Sequence, residues 1–221
     1  MATHPRLVAV GNLKGGTGKT TLAVNLACAL GRKGSAIIVD ADEQGTATMW
    51  AAAGNLPVPV RSLPLTADGP AGINAWIAEA VAIKQTADLV VIDCPPALGG
   101  VTVAALTLAD LFVLPVTPSG MDIKATARAL ELLAEARKAR KGTKPAALLV
   151  PSRVDRRTAA GREIEAVLSD FGEPVAPAVA QRTAHVDAFS AGQWVGDYAP
   201  RSAAHTEIEA LAALLKRILD R

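Results

Sequence analysis

A glycine-rich segment near the amino terminus constrains the fold of this chain more than any other feature. The apolar run Leu7–Val10 leads directly into Gly11–Thr21, which reads GNLKGGTGKTT, and leucines then recur every four residues at Leu22, Leu26 and Leu30. A strand, a glycine-rich turn and a helix in that order form a phosphate-binding loop, in which backbone N–H groups surround phosphate oxygens. The start of the helix adds the positive end of its dipole. The sequence therefore predicts a P-loop.

The individual positions of this loop suit a nucleoside triphosphate with Mg²⁺. Gly15, Gly16 and Gly18 let the backbone approach phosphate oxygens without side-chain obstruction. We expect Lys19 to lie against the β- and γ-phosphates of ATP, and the Thr20 hydroxyl to bind Mg²⁺. The predicted nucleotide-binding segment comprises Lys14, Gly15, Gly16, Thr17, Gly18, Lys19, Thr20 and Thr21. The alternative is a glycine-rich surface turn, which the flanking strand and helix make much less favoured.

Apolar runs of strand length alternate with helical patterns along the rest of the chain. The runs are Leu7–Val10, Ala36–Val39, Leu89–Ile92, Leu111–Val116 and Ala146–Val150. Because they are continuous rather than alternating, they indicate strands buried on both faces, as in parallel sheets. Helical spacing is seen at Leu130, Leu133 and Ala134, and again at Leu211, Leu214, Leu215 and Ile218. The pattern predicts an α/β fold: a single P-loop domain over 1–221 with a mostly parallel sheet and helices on both faces.

Three carboxylates stand at or just after the ends of predicted strands. Asp40 and Asp42 follow the second apolar run, and Asp93 follows the third. In open α/β sheets this edge is where ligands bind. Mg²⁺ prefers oxygen ligands and keeps several waters, so we expect Asp93 to hold the ion through water, together with Thr20. The alternative is that each aspartate caps the following turn or helix, and three such residues after a P-loop favour a site.

The loop departs from the common P-loop pattern, because Leu13 stands where that pattern has glycine and a second lysine, Lys14, precedes the double glycine. The segment Lys14–Thr21 resembles the deviant Walker A box of ParA/MinD ATPases. The resemblance extends over nearly the whole chain and is closest to the short, ParF-type partition ATPases. It continues through Ile38–Gln44, which has Glu43 where the family usually has proline, Val91–Pro96, Leu114–Ser119 and the Gln181-Arg182 region.

This resemblance implies a set of roles for the residues. Lys14 would reach across an ATP-dependent homodimer to the nucleotide of the other subunit. Asp42 would position the attacking water, and Asp40 would support the metal or the switch. The implied catalytic set is therefore Lys14, Lys19, Asp40 and Asp42, and no arginine finger is evident. Pro118 and Ser119 would wall the adenine pocket, with an ordinary strand-ending turn as the alternative.

The net charge of the chain does not by itself identify its binding partners. The net charge is +2, half of the residues are apolar and a fifth are charged, so a DNA-binding surface would have to be a local patch. The resemblance implies nonspecific double-stranded DNA as a partner. We expect the contacts at Arg156, Arg157, Arg182, Arg201 and Arg217, before the basic run 137–144, whose charges are typical of a solvated face.

The expected function is ATP hydrolysis that partitions or positions a plasmid, a chromosome region or a protein cargo. A small adaptor protein would stimulate hydrolysis. Cysteine usage and the absence of a visible targeting segment lead us to expect a cytoplasmic protein, and the resemblance adds association with the nucleoid. The final helix mixes Glu207 and Glu209 with Lys216 and Arg217, which favours packing on the domain over stable membrane association. The alternatives are a MinD-like membrane-positioning ATPase and a metabolic P-loop enzyme.

Overall fold

The computed structural model describes residues 5–32, 34–67, 69–96 and 99–220. Its strands are β1 (Arg6–Val10), β2 (Ala36–Asp40), β3 (Val60–Ser62), β4 (Leu89–Asp93), β5 (Leu111–Val116), β6 (Ala146–Val154) and β7 (Val179–Ala180). Its helices are α1 (Lys19–Gly31), α2 (Thr46–Ala51), α3 (Gly69–Lys84), α4 (Gly100–Leu108), α5 (Gly120–Ala139), α6 (Ala159–Ser169), α7 (Thr183–Ser190), α8 (Val195–Tyr198) and α9 (Ala203–Leu219).

These strands form one sheet of seven in the order β3-β2-β4-β1-β5-β6-β7, and they pair in parallel throughout. Successive residues of β1 alternate between two apolar cores. Leu7 and Ala9 pack on the side covered by α3, α4, α5 and α6. Val8 and Val10 pack on the side of α1, α2, α8 and α9. A strand between two helical layers needs apolar side chains at every position, which is why the runs in the sequence are continuous.

The predicted fold class is confirmed, and the differences are local. Most predicted strands lie within one residue of the observed bounds, but β6 continues to Val154, beyond the last residue of its apolar run. In α5 the predicted face is shifted, because Ala129, Leu132, Leu133 and Ala136 are buried and Ala134 is exposed. The helix follows the volume available against α4 and β5, which side-chain spacing alone does not reveal. Helix α1 ends at Gly31.

Helix α9 buries its apolar stripe inside the domain. Ile208, Leu211 and Leu215 are at most 1% exposed and belong to the core shared with α1. The basic residues Lys216 and Arg217 are exposed on its outer side, and its amino terminus is capped by the Ser202 hydroxyl. Within the described ranges, no helix has the length and apolar character required to cross a bilayer.

Candidate nucleotide-binding site

The glycine-rich segment forms a loop between β1 and α1. Gly16 and Gly18 have φ angles of 78° and 92°, which lie in the left-handed region that glycine adopts without steric cost. A Cβ on Gly18 would also stand 2.8 Å from the Ser152 hydroxyl oxygen. Helix α1 begins directly after Gly18, and no side chain caps it. Its first N–H groups are therefore free to bind an anion.

Two polar side chains hold the loop in place from beneath. Asn12 is buried and donates from Nδ2 to the Pro115 carbonyl at 2.6 Å, which fixes the start of the loop to β5. Thr17 is 1% exposed, with its hydroxyl 3.5 Å from the Lys14 carbonyl. Thr17 thus points into the protein, whereas the neighbouring glycines remain open to a ligand.

Lys19 is positioned to bind a phosphate, and nearby carboxylates offset only part of the cost of burying its ammonium. Its side chain is nearly buried, and Nζ donates to the Lys14 carbonyl at 3.0 Å across the loop. Burial lowers the pKa of Lys19, while Asp93 and Asp42 act in the opposite direction. A phosphate group beside Nζ would supply the negative charge that this buried ammonium requires.

The parallel sheet brings Asp93 and Asp40 side by side. In the register of β2 and β4 the two residues are directly opposite, and Val10, the last residue of β1, is the neighbour of Asp93 on the other side. The strand-end carboxylates predicted from separate segments of the sequence therefore meet at the carboxyl edge of the sheet, immediately below the loop.

Asp93 is a buried carboxylate that the described residues do not stabilise by ordinary hydrogen bonds. It is 1% exposed, and neither of its oxygens has a hydrogen-bond partner of ordinary geometry among the described residues. Burial raises its pKa to about 7, against the opposing effects of Thr20 and Lys19. A hydrated Mg²⁺ ion would give this oxygen pair its missing partners, so Asp93 and Thr20 fit the metal.

The other two aspartates occupy different surroundings. Asp40 is fully buried, and its Oδ2 accepts hydrogen bonds from the backbone N–H of Thr48 at 2.7 Å and the Thr48 hydroxyl at 2.8 Å. It therefore anchors the first turn of α2, which is the capping role that the sequence also allowed. Asp42 is half-buried and lines the cavity, with Oδ1 accepting from the Gln44 N–H at 3.0 Å. Of the two, only Asp42 lines the cavity.

A cavity of about 1170 Å³ opens above the loop. Its lining includes these predicted site residues: Gly15, Gly16, Gly18, Lys19, Thr20, Thr21 and Asp42. The opposite wall comes from the end of β6, from β7 and from the first turn of α7. This volume is slightly above the usual range of small-molecule pockets, and it offers ample room for a nucleotide.

Lys14 lies outside that cavity. Its ammonium is 2.7 Å from Oδ1 of Asp122, which is 1% exposed in the first turn of α5, whereas the Lys14 side chain is 44% exposed. The other oxygen of Asp122 bonds the Thr117 hydroxyl. These three residues line a smaller neighbouring cavity of about 330 Å³. Lys14 is therefore turned away from the nucleotide space of its own subunit.

The predicted adenine wall is not part of the main cavity. Pro118 and Ser119 connect β5 to α5, on the side of Lys14 and Thr117, and neither is among the residues that line the larger space. The residues that line the larger space include Ala178–Thr183 and His185. His185 is buried with both ring nitrogens unpaired among the described residues, and burial lowers its pKa, which keeps the ring neutral. Nothing in the sequence around His185 indicated that this residue lines a cavity.

The five predicted DNA-contacting arginines do not form one group. Three of them line the main cavity and are paired with carboxylates: Arg156 with Glu165 at 2.7 Å, Arg157 with Asp155 at 2.7 Å and Arg182 with Glu207 at 2.6 Å. Arg201 and Arg217 are exposed and have no ion pair within the described part of the chain. The five arginines thus divide into three that pair with carboxylates, of which Arg157 is 91% exposed, and two surface residues that are unpaired among those described.

Sequence reasoning missed two residues beside the loop. Asp122, the partner of Lys14, is far away in sequence and lies in a helical stretch without a motif of its own. Arg153 donates from Nη1 to the Gly16 carbonyl at 2.7 Å and lines both cavities. The only sequence indication would have been its position at the carboxyl end of β6. Because the apolar run stops at Val150, the sequence did not show that the strand continues to Val154.

Known proteins share this architecture. Residues 8–195 match the family model described as the CobQ/CobB/MinD/ParA nucleotide binding domain. Over 179 residues the chain is 32% identical to maintenance of carboxysome distribution protein A of Halothiobacillus neapolitanus, covering 80% of each chain. It is 33% identical over 226 residues to the chromosome-partitioning ATPase Soj of Thermus thermophilus, covering 89% of this chain and 90% of Soj.

Solved structures share the fold at lower identity. An ATP complex of a McdA variant from Cyanothece has a TM-score of 0.77 at 17% identity, covering 99% of this chain and 98% of that one. MinD of Pyrococcus horikoshii with Mg-ADP has a TM-score of 0.76 at 21% identity and 96% coverage of both. MinD of Aquifex aeolicus in complex with MinC has a TM-score of 0.77 at 18% identity, again with 96% of both chains covered.

Proposed function

The chain belongs to the CobQ/CobB/MinD/ParA nucleotide-binding family, and from this premise we propose that it is an ATPase that positions or partitions a cargo over DNA. The cargo would be a plasmid, a chromosome region or a protein assembly. Relatives named for carboxysome distribution and for chromosome partitioning support this class of function. ATP and Mg²⁺ are the expected ligands, in agreement with the ATP and Mg-ADP complexes of proteins with this fold.

The placement of Lys14 carries the proposal. A lysine within the phosphate loop would normally be expected to face the nucleotide of its own subunit. Here Lys14 lies outside the main cavity, is 44% exposed and reaches sideways to Asp122. A half-exposed cation at the rim of the site could reach the nucleotide of a second copy once it leaves Asp122. We therefore propose an ATP-dependent homodimer in which Lys14 of one subunit contacts the nucleotide of the other.

The other predicted site residues would bind the phosphates, orient the attacking water or hold the metal. The N–H groups of the loop and the Lys19 ammonium bind the phosphates, and Asp42, at the cavity wall, orients the attacking water. Asp40 holds α2, and with it the segment that carries Asp42, through its bonds to Thr48. Mg²⁺, held at Thr20 and through water at Asp93, would neutralise charge on the phosphate oxygens. Phosphoryl transfer requires mainly alignment and charge stabilisation, which this set provides.

The dimer would bind DNA without sequence preference, in the cytoplasm at the nucleoid. One subunit would neutralise only a few phosphates, so its attachment to DNA would be weak. Two subunits joined through ATP would present two basic surfaces to one duplex, and the second contact would gain from effective concentration. A small adaptor protein would stimulate hydrolysis and release the complex. The MinC complex of Aquifex MinD offers a parallel for partner binding on this fold.

Membrane positioning is the less supported alternative, because the apolar stripe of α9 is already buried in the core at Ile208, Leu211 and Leu215. A lipid anchor would need those side chains exposed. The metabolic alternative predicts that a small-molecule substrate accelerates ATP turnover. The membrane alternative is thus distinguished by lipid binding and the metabolic one by the small molecule that accelerates ATP turnover.

The test combines light scattering with DNA binding. With Mg-ATP, the Asp42→Ala protein should accumulate as a dimer because binding remains and hydrolysis is lost. Fluorescence anisotropy with a nonspecific duplex should show binding for this dimer and much weaker binding for the nucleotide-free and ADP states. Equal DNA affinity in all three states, or no DNA binding at low salt with ATP, would contradict the mechanism. Liposome flotation and substrate screening then distinguish the alternatives.

A further inference from the structure

Arg153 occupies a strained position at the end of β6. Its φ angle is 53°, in a region where a side chain is rarely tolerated. The pairing of β6 with β7 shifts at the same point, since Ser152 pairs with Val179 and Val154 with Ala180. Irregularities of this kind redirect a side chain and are enriched beside functional sites. The chain thus departs from regular strand geometry at one residue, and that residue is an arginine.

The redirected side chain lies across the phosphate loop. Nη1 of Arg153 donates to the Gly16 carbonyl at 2.7 Å and stands 3.7 Å from where a Cβ of Gly16 would be. Arg153 belongs to the walls of both the main cavity and the smaller Lys14 cavity. The guanidinium therefore lies at the boundary between the main cavity and Lys14.

The charge of Arg153 has no counter-ion within the described part of the chain. Its hydrogen bond goes to a neutral carbonyl, whereas Arg156, Arg157 and Arg182 at the same cavity each pair with a carboxylate. A guanidinium has five N–H donors in a planar fork that matches phosphate oxygens. Arg153 is exposed to solvent, so its remaining N–H donors are free to contact a phosphate bound beside Gly16.

We propose that Arg153 binds the terminal phosphates of the nucleotide held in its own loop. This proposal rests on the proposed ATPase function and adds a phosphate-binding residue that acts from within the same subunit. Lys14 would then approach from the partner, and Arg153 from the subunit that holds the nucleotide. The γ-phosphate would be enclosed by cations from both sides, while strain at Arg153 keeps the fork aimed at the loop in the absence of ligand.

The first test is nucleotide affinity, measured by calorimetry on the full chain with Mg²⁺. Arg153→Gln should weaken binding of a slowly hydrolysed ATP analogue by roughly tenfold or more, which corresponds to one charge-assisted hydrogen bond. Its affinity for ADP should change much less, because ADP lacks the γ-phosphate. Arg128→Gln removes an equal charge from the exposed face of α5 and should leave both affinities unchanged. An Arg153→Gln protein with normal affinity for the analogue would overturn the proposal.

A second variant separates binding from folding. Arg153→Gly removes the side chain but suits the positive φ, so its melting temperature should equal or exceed that of the wild type. It should nevertheless show the same loss of ATP-analogue affinity as Arg153→Gln. If Arg153→Gly binds the analogue normally, the side chain has no role at the phosphate. If the wild-type protein itself binds no ATP, the proposed function fails, which is a different result from failure of Arg153 alone.

Mixing two impaired variants, at an ATP concentration where each alone hydrolyses slowly, tests which subunit Arg153 serves. In a mixed dimer of Lys14→Ala and Arg153→Gln subunits, the Lys14→Ala subunit keeps its own Arg153 and receives Lys14 from its partner. One complete site results if Arg153 acts on its own nucleotide, so the mixture should hydrolyse ATP faster than the sum of the separate proteins. If Arg153 instead serves the partner's nucleotide, neither site is complete. No recovery, with dimers confirmed by light scattering, would overturn the assignment to its own loop.

Discussion

The ammonium of Lys14 lies 2.7 Å from a buried oxygen of Asp122, so the lysine that distinguishes this loop from ordinary P-loops is already ion-paired within its own chain. Asp122 is in the first turn of α5 and is also bonded by Thr117. Under the proposed mechanism, Lys14 must leave this carboxylate before it can reach the nucleotide of a second subunit. The pair would then oppose dimerisation until ATP is bound.

Asp122→Asn should therefore lower the ATP concentration needed for dimerisation. The amide is similar in shape and keeps a polar partner for Thr117, but it removes the charge that holds Lys14. We expect a shift of about three- to tenfold, since an ion pair with one exposed partner is worth about 1 kcal/mol. Light scattering over an ATP series measures it. Glu131→Gln breaks the exposed pair with Arg128 on the same helix and serves as the control. An unchanged or higher ATP requirement would rule out the inhibitory role of Asp122.

Lys19→Ala should abolish most nucleotide binding. Lys19 is nearly buried, and its Nζ contacts the loop at the Lys14 carbonyl, so its loss removes a desolvated cation from the phosphate site. We expect affinity for Mg-ATP to fall by roughly 100-fold, the upper range for a charged hydrogen bond. Calorimetry provides the measurement, and Lys138→Ala, at an exposed position late in α5, should bind ATP normally. Comparable affinities in the two variants would remove Lys19 from the site.

Asp93→Asn should stabilise the nucleotide-free protein while impairing its response to Mg²⁺. The carboxylate is 1% exposed without a hydrogen-bond partner of ordinary geometry among the described residues, so its charge carries a desolvation cost in the folded state. Removing the charge should raise the free energy of unfolding by about 1–3 kcal/mol. Thermal melts of both proteins, with and without Mg-ATP, test this. A destabilised nucleotide-free variant, or one that Mg-ATP stabilises as much as the wild type, contradicts the assignment.

Much of the fold could be predicted because its signals are local. A strand between two helical layers must be apolar at every position, and the runs at β1, β2, β4 and β5 show this directly. Parallel order then brings the strand ends together, so Asp40 and Asp93 could be assigned to one edge before their register was known. The P-loop is a single contiguous segment, which makes its residues recognisable without tertiary information.

The parts that escaped prediction depend on long-range geometry. Asp122 meets Lys14 only because β1 and β5 are neighbours in the sheet, and nothing in the sequence around Asp122 indicates that contact. Arg153 faces the loop because of its positive φ and the shifted pairing of β6 with β7. Pro118 and Ser119 do not line the main cavity, because β5, which precedes them, ends on the Lys14 side of the loop.

The ion pairs of the arginines predict which of them contact DNA. Arg182 is held by Glu207, which raises its pKa through the hydrogen bond and directs the guanidinium to the cavity wall, whereas Arg201 and Arg217 are exposed and unpaired within the described residues. A free surface cation can neutralise a phosphate at little cost, but Arg182 would first have to leave its carboxylate. We therefore expect Arg201→Ala and Arg217→Ala to weaken binding of the ATP-bound dimer to all duplexes alike.

Each of these two substitutions should reduce the slope of log affinity against log salt by roughly 0.9 for every DNA phosphate that the dimer no longer neutralises. Arg182→Ala should leave that slope nearly unchanged and act mainly on ATP affinity, because its side chain lines the nucleotide cavity. Anisotropy titrations over a salt series measure the slopes, and calorimetry measures the ATP affinities. If Arg182→Ala reduces the slope while Arg201→Ala and Arg217→Ala do not, the DNA surface lies around the cavity mouth, and the free surface arginines have no part in it.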